Sequence, residues 1–263
     1  NGVVIKAMGK RYKVKTDNGN IVQCQLKGRF RLQGIKSTNP IVVGDKVEVK
    51  QESEMWMITK LFSRKSYILR KSVNLSKQTH VIAANIDQVI LMITLESPIT
   101  TTIFIDRFLV AANAYGVEVV LLFNKLDIYN NFSLQNHKLL TKVYQNAGYT
   151  TIALSVLHDD LSKIKQVMKD KLNMISGHSG VGKSTLINKL QSNLHIDTNE
   201  VSETHKQGKH TTTFSEMYDL SFGSSIIDTP GIRGFGLVEL NSSQIGNCFP
   251  EFVIAKQNCK FHN

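Results

Sequence analysis

GHSGVGKS, residues 177–184, has the spacing G-x-x-x-x-G-K-[ST] at Gly177, Gly182, Lys183 and Ser184. The run before it, LNMIS (172–176), reads as a strand, and the run from its last residue, STLINKLQ (184–191), as a helix. That context gives the pattern its meaning. Glycines let backbone N–H groups wrap a phosphate, and a helix N-terminus adds partial positive charge. Gly177, His178, Ser179, Gly180, Val181, Gly182, Lys183, Ser184 and Thr185 are therefore expected to form one nucleotide-binding loop. Lys183 is expected to act in catalysis by neutralising the β and γ phosphates, and Ser184 to reach Mg2+ through its hydroxyl. His178 is expected to be structural, because such a loop works through its amides.

A triphosphate loop does not name a base. FNKLD (123–127) does, because it closes the apolar run VEVVLLF (117–123), where an α/β sheet presents its ligand-binding edge. The Asp127 carboxylate can accept N1–H and the exocyclic N2–H2 of guanine together, a pair of donors that adenine lacks. Asn124 is expected to tie its loop to N7 and to the phosphate loop, and the stem of Lys125 to lie over the purine. Leu154-Ser155-Val156 follows a third strand, and Ser155 and Val156 can offer N–H to guanine O6. IIDTPG (226–231) supplies D-x-x-G: Asp228 towards Mg2+ through water, the Gly231 amide towards the γ-phosphate. Between the glycine-rich loop and this last strand lies a polar segment with Thr211, Thr212 and Thr213, one of which is expected to close on Mg2+.

These elements run NKLD, ALSV, GHSGVGKS, HTTT, DTPG, whereas an ordinary GTP-binding domain starts with the glycine-rich loop. The order is a cyclic rotation, so the chain reads as one GTP site on a circularly permuted domain. Rotation keeps sheet and site intact because domain termini tend to lie close together. The apolar runs 86–94, 117–123 and 172–176 alternate with helical patterns at 103–116, 133–148 and 161–172, which implies a parallel, doubly wound sheet. Ser133 and Gly148 are expected to cap the second helix.

Charge separates the N-terminal third from the rest. Residues 1–80 hold 17 Lys and Arg against 5 Asp and Glu, a net of +12, while residues 81–263 come to −1. Such asymmetry points to a polyanionic partner for the first module, and nucleic acid is the commonest. Residues 1–70 show five short strand patterns with a turn at Asn18-Gly19, as expected of an OB-fold barrel. Arg11, Tyr12, Lys27, Arg29, Phe30 and Arg31 are its candidate stacking and phosphate contacts, although the aromatics read equally well as core. The acid-free stretch after it, taken over 71–80, reads as a basic linker. The GTPase domain is expected over 81–236. Cys24, Cys248 and Cys259 are too few and too scattered for a disulfide framework. No apolar run reaches the roughly 20 residues that span a bilayer, and nothing resembles a secretion signal, so a cytoplasmic, membrane-free monomer is expected.

Taken together, the rotated motif order, GHSGVGKS, HTTT, DTPGIRGFG (228–236) and FPEF (249–252) resemble the circularly permuted bacterial GTPases of small ribosomal subunit biogenesis. The resemblance covers nearly the whole chain. It implies a multidomain fold: OB-fold β-barrel, circularly permuted α/β P-loop GTPase, and a helical zinc domain beginning in 237–263. It also implies GTP/GDP with Mg2+, contact with the small ribosomal subunit and its rRNA in late maturation, and slow hydrolysis that the particle stimulates. Zn2+ is implied too, with Cys259 as first ligand, His262 in the spacer, and the other ligands past Asn263.

Ile232 occupies the position after D-x-x-G where Ras-like enzymes place a water-orienting glutamine, and it cannot hydrogen-bond to water. His210, beside the threonines, is the internal candidate for that task; a solvated switch histidine is the alternative. Ile232 also leaves room for an RNA-binding scaffold in which GTP is only a ligand. An ATP-dependent kinase is disfavoured by Asp127.

Overall fold

A computed structural model describes residues 1–26, 40–71, 79–191, 215–228 and 242–259. The first five strands are β1 (Gly2–Met8), β2 (Arg11–Thr16), β3 (Ile21–Leu26), β4 (Lys46–Glu52) and β5 (Met55–Leu61). They pair in the order β1-β2-β3-β5-β4, and β4 returns to β1, so the five close into a barrel. Alternation along β1 and β2 turns Val4, Tyr12 and Val14 inward, where they meet Cys24, Ile41, Val47 and Ile58. Tyr12 is thus core, not a stacking surface. Lys27, Arg29, Phe30 and Arg31 lie outside the described residues.

The basic stretch read as a linker holds strand structure at both ends. β6 (Tyr67–Lys71) pairs antiparallel with β7 (Thr79–Ala84). Ile68 and Ala83 belong to the same core cluster as the next domain's strands. The density of lysine and arginine hid this short apolar pattern.

Next come β8 (Gln88–Ile93), α1 (Thr102–Ala114), β9 (Glu118–Phe123), α2 (Asn131–Asn146), β10 (Thr150–Ala153), α3 (Ser162–Met168), β11 (Leu172–Ser176) and α4 (Lys183–Leu190). β12 (Glu216–Leu220) and β13 (Ser224–Asp228) complete the domain. β10, β9, β8, β11 and β13 are parallel neighbours, and β12 runs antiparallel to β13. Every residue of β8 is buried, as both faces of the sheet are covered. One face packs against Phe108, Leu109 and Ala112 of α1 and Leu140 and Tyr144 of α2. The other packs against Ile164 and Met168 of α3 and Leu186, Ile187 and Leu190 of α4. Each large apolar side chain so enclosed contributes about 1.5–3 kcal/mol.

The second helix begins earlier than its sequence suggests. Asn130, not Ser133, is its N-cap: the Asn130 side chain accepts from the Ser133 N–H. Ser133 turns inward instead, and its hydroxyl donates to Glu96 Oε1 at 2.6 Å. At the other end Ala147 is the C-cap, and Gly148 follows it with φ of 92°.

The barrel and the α/β sheet are continuous, because β1 also pairs antiparallel with β12. A buried ion pair fastens the end of the barrel module. Both nitrogens Nε and Nη2 of Arg64 donate to Asp45 at 2.7 Å, and Asp45 also accepts from the Val42 N–H at 2.8 Å. Beyond the sheet, α5 (Ser242–Asn247) and α6 (Pro250–Gln257) are tethered by Asn113 of α1, whose Nδ2 donates to the Cys248 carbonyl at 2.8 Å.

Candidate nucleotide site

The loop Gly177–Gly182 leaves the carboxyl end of β11 and enters α4 at Lys183. Two of its glycines are dictated by close approach. A Cβ on Gly177 would stand 2.5 Å from the Met92 carbonyl, and one on Gly182 would stand 2.5 Å from Asn124 Nδ2. Both have φ in the left-handed range, 143° and 103°. Lys183 Nζ donates to the carbonyls of Gly177 at 2.8 Å and His178 at 2.6 Å, so the ammonium sits inside the loop. Burial holds its pKa below the usual lysine value. Ser184 follows on the first turn of α4, and Thr185 after it.

Asn124, at the end of β9, joins the loop to two further segments. Its Nδ2 donates to the Val181 carbonyl and its Oδ1 accepts from the Val156 N–H, each at 2.8 Å. Asn124 is almost wholly buried, so both bonds are made away from water. Ser155, next to Val156, donates its own N–H to Asp159 Oδ2 at 2.7 Å. A side-chain hydrogen bond from Ser155 is the largest cause holding the Asp127 carboxyl below the ordinary carboxylate value; His158 and Lys125 act in the same direction. Asp127 lies on a 3-10 turn, Leu126–Ile128, and remains partly exposed.

Sequence reasoning missed what supports this loop. Lys125 takes the left-handed conformation, φ 63°, and its Nζ donates to the Ser97 carbonyl at 2.6 Å. Ser97 belongs to the segment between β8 and α1. There the Leu95 N–H donates to the Tyr129 hydroxyl at 2.9 Å, and Glu96 caps the start of α2 through the Asn130 N–H and the Ser133 hydroxyl. Pro98 of the same segment lies against Gly180. One short connection therefore braces both the phosphate loop and the Asn-Lys-x-Asp turn. LESPIT carried a turn signal at Pro98 but nothing that told which loops it would touch.

His178 stacks on Phe104 of α1, with ring centroids 4.0 Å apart. Burial, then the neighbouring Lys183, keep its pKa below the normal imidazole value. Phe104 had no sequence signal beyond the helical spacing of α1.

Asp228 is the last residue of β13; its side chain, together with Gly231, His210, Thr211, Thr212 and Thr213, lies outside the described residues. The donor set assigned to Mg2+, hydroxyl oxygens with a carboxylate, suits that hard cation. Zinc is different. Among the described residues no group of three potential metal ligands occurs, and Cys259 is exposed. Cys248 is buried, with Sγ directed at the Gln244 carbonyl. Cys259 is the one implied zinc ligand among the described residues, the others being expected past Asn263.

Fold and site together define a P-loop nucleotide-binding protein whose motifs run in rotated order. Residues 61–238 match the RsgA GTPase family and residues 1–55 the RsgA N-terminal domain. All of this chain aligns with 85% of the small ribosomal subunit biogenesis GTPase RsgA of Christiangramia forsetii at 54% identity. It aligns over its whole length with 85% of the protein of that name from Bacteroides fragilis at 48%. Among solved structures, YjeQ from Thermotoga maritima superposes with a TM-score of 0.72 at 30% identity, over 95% of this chain and 81% of that one. YloQ, described as a circularly permuted GTPase, gives 0.74 at 25% identity over 99% and 81%. The chain belongs to the RsgA GTPase family.

Proposed function

We propose that this chain binds GTP with Mg2+, hydrolyses it to GDP and phosphate, and serves the late maturation of the small ribosomal subunit. The observation that carries the reading is Asn124, whose one carboxamide joins the phosphate loop at Val181 to the base-side loop at Val156. Three segments scattered along the chain are thereby held together.

In this reading Asp127 accepts the two guanine donors and Lys125 lies along the purine, whereas the Ser155 and Val156 N–H groups, expected to meet O6, are donated instead to Asp159 and Asn124. Lys183 meets the β and γ phosphates. Ser184, Asp228 and one of Thr211, Thr212 and Thr213 would hold Mg2+, which would supply charge neutralisation at the phosphates. Water attacks the γ-phosphorus, the bond to the β–γ bridging oxygen breaks, and GDP and inorganic phosphate leave. Ile232 gives that water no hydrogen bond, so His210 orients it, and turnover without the partner is slow. Helping this reading is the dry base of the loop, where Val181 and Leu186 are buried.

The basic barrel is read as the grip on rRNA, in the cytoplasm, by a monomer. Among the described residues no helix is long and apolar enough to cross a membrane. RNA affinity should therefore fall steeply as salt rises, because phosphate contacts release counterions. The direct test is GTP turnover with purified small subunits against large subunits. Stimulation by small subunits alone supports the reading; none leaves the protein as a GTP-binding scaffold. His210→Ala should abolish the stimulated rate, and an unchanged rate would remove His210 from the mechanism.

A further inference from the structure

Glu216 opens β12, shortly after Thr213 in the chain. In the sheet it stands opposite Lys6 of β1 on one side and Asp228 of β13 on the other. Barrel, connecting strand and the first residue of Asp228-Thr229-Pro230-Gly231 therefore share one row. With strands about 4.8 Å apart, Lys6 and Asp228 are separated by about 10 Å of hydrogen-bonded ladder.

The side chains reinforce that row. Lys6 Nζ pairs with Glu216 Oε2, and the Tyr218 hydroxyl donates to the same oxygen at 3.2 Å. Lys6 and Glu216 are only 25% and 26% exposed, so the pair is shielded from much of the solvent. Farther along β12, Lys15 of the barrel pairs with Asp219, which also accepts from the Ser225 hydroxyl of β13 at 2.8 Å. At both places an acid of β12 is held between a barrel lysine and its own sheet.

We propose that Lys6 and Glu216 are positioning residues for the nucleotide site. Their ion pair sets where β12 lies against the barrel and, through the ladder, where Asp228 stands relative to the phosphate loop. The inference rests on the GTP reading above, in which Asp228 and Gly231 serve Mg2+ and the γ-phosphate. GDP lacks the γ-phosphate that Gly231 meets in that reading, so the pair should weigh on triphosphate affinity more than on diphosphate affinity. Linkage makes the effect reciprocal: a phosphate strand that draws Lys6 away from Glu216 alters triphosphate affinity, and triphosphate alters the barrel's affinity by the same factor.

The test measures binding of a non-hydrolysable GTP analogue and of GDP, both with Mg2+, to the full chain. In Lys6→Glu the analogue should bind about fivefold more weakly while GDP stays within about twofold, and Lys6→Glu/Glu216→Lys should restore the ratio. Lys6→Met removes the charge at similar length and gives the same readout should the reversal disturb folding. An unchanged analogue-to-GDP ratio in both Lys6 variants, or equal loss of both nucleotides, overturns the positioning role. Failure of the unaltered chain to bind either nucleotide would instead overturn the GTP reading, and this inference with it.

Discussion

Gly182 and Asn124 fit against each other so closely that the glycine has no alternative. The Asn124 Nδ2 occupies the space a Cβ at 182 would need, 2.5 Å away, while it donates to the neighbouring Val181 carbonyl. The last glycine of the phosphate loop is thus fixed by the asparagine of the base-side loop, as well as by its own φ of 103°. One side chain thus joins the two loops, through Nδ2 at Val181 and through Oδ1 at Val156.

Gly182→Ala should therefore cost about 1–3 kcal/mol of stability through backbone strain alone, and displace Asn124 besides. Nucleotide affinity should fall more than it does in Gly180→Ala, where the new Cβ meets Pro98 Cδ at an ordinary 3.5 Å. Thermal unfolding and nucleotide titration of the two variants check the order.

Asn124→Ala leaves the Val181 carbonyl and the Val156 N–H without their shared partner. Each orphaned buried group costs about 1–3 kcal/mol. Because Asn124 acts on both loops regardless of the γ-phosphate, GTP and GDP should weaken by the same factor. A titration showing loss of GTP alone would contradict this.

The Asp45–Arg64 pair makes a prediction about the barrel module. Asp45 is fully buried and Arg64 nearly so. Arg64→Leu strands a carboxylate and should lower unfolding stability by about 3–5 kcal/mol. Chemical denaturation followed at Trp56, which packs against the barrel core, reads the change where it occurs.

The lowered pKa of Asp127 fixes a pH window. Its carboxylate must be ionised to accept from guanine, and the Ser155 hydrogen bond keeps it ionised to lower pH than usual. A group with a depressed folded pKa contributes above its unfolded value and fails as pH falls through the folded one. Preference for GTP over ATP should stay flat from pH 8 down to about 4, the ordinary aspartate value. Ser155→Ala should move the loss of preference upward, which competition binding across that range detects.

Much of this site could be read from spacing alone. Lys183, Asn124 and Asp127 sit in patterns whose chemistry constrains each residue type, and the buried runs that became β8, β9 and β11 had no other use. Other features rest on contacts between distant segments, which local patterns do not encode. Nothing in YILRK announced that Ile68 would enter a core, since basic neighbours outweighed one alternating pair. The pairing of β1 with β12 joins residues 210 positions apart, and Lys6 looks like any surface lysine until Glu216 is opposite. The Phe104–His178 stack is likewise a meeting of two helically or loop-spaced residues with no shared motif. Ser133 lost the cap to Asn130 because Glu96, 37 residues away, claimed its hydroxyl.

Base identity is the point on which everything converges, and Asp127→Asn tests it. An asparagine there donates to the 2-oxo group of xanthine and accepts from its N1–H, but meets the exocyclic amine of guanine with its own donor. Competition between GTP and XTP on the unaltered chain and the variant should show GTP preferred by the first and XTP by the second, with at least about a tenfold reversal. Undiminished GTP affinity in Asp127→Asn would mean that guanine does not lie against this carboxylate.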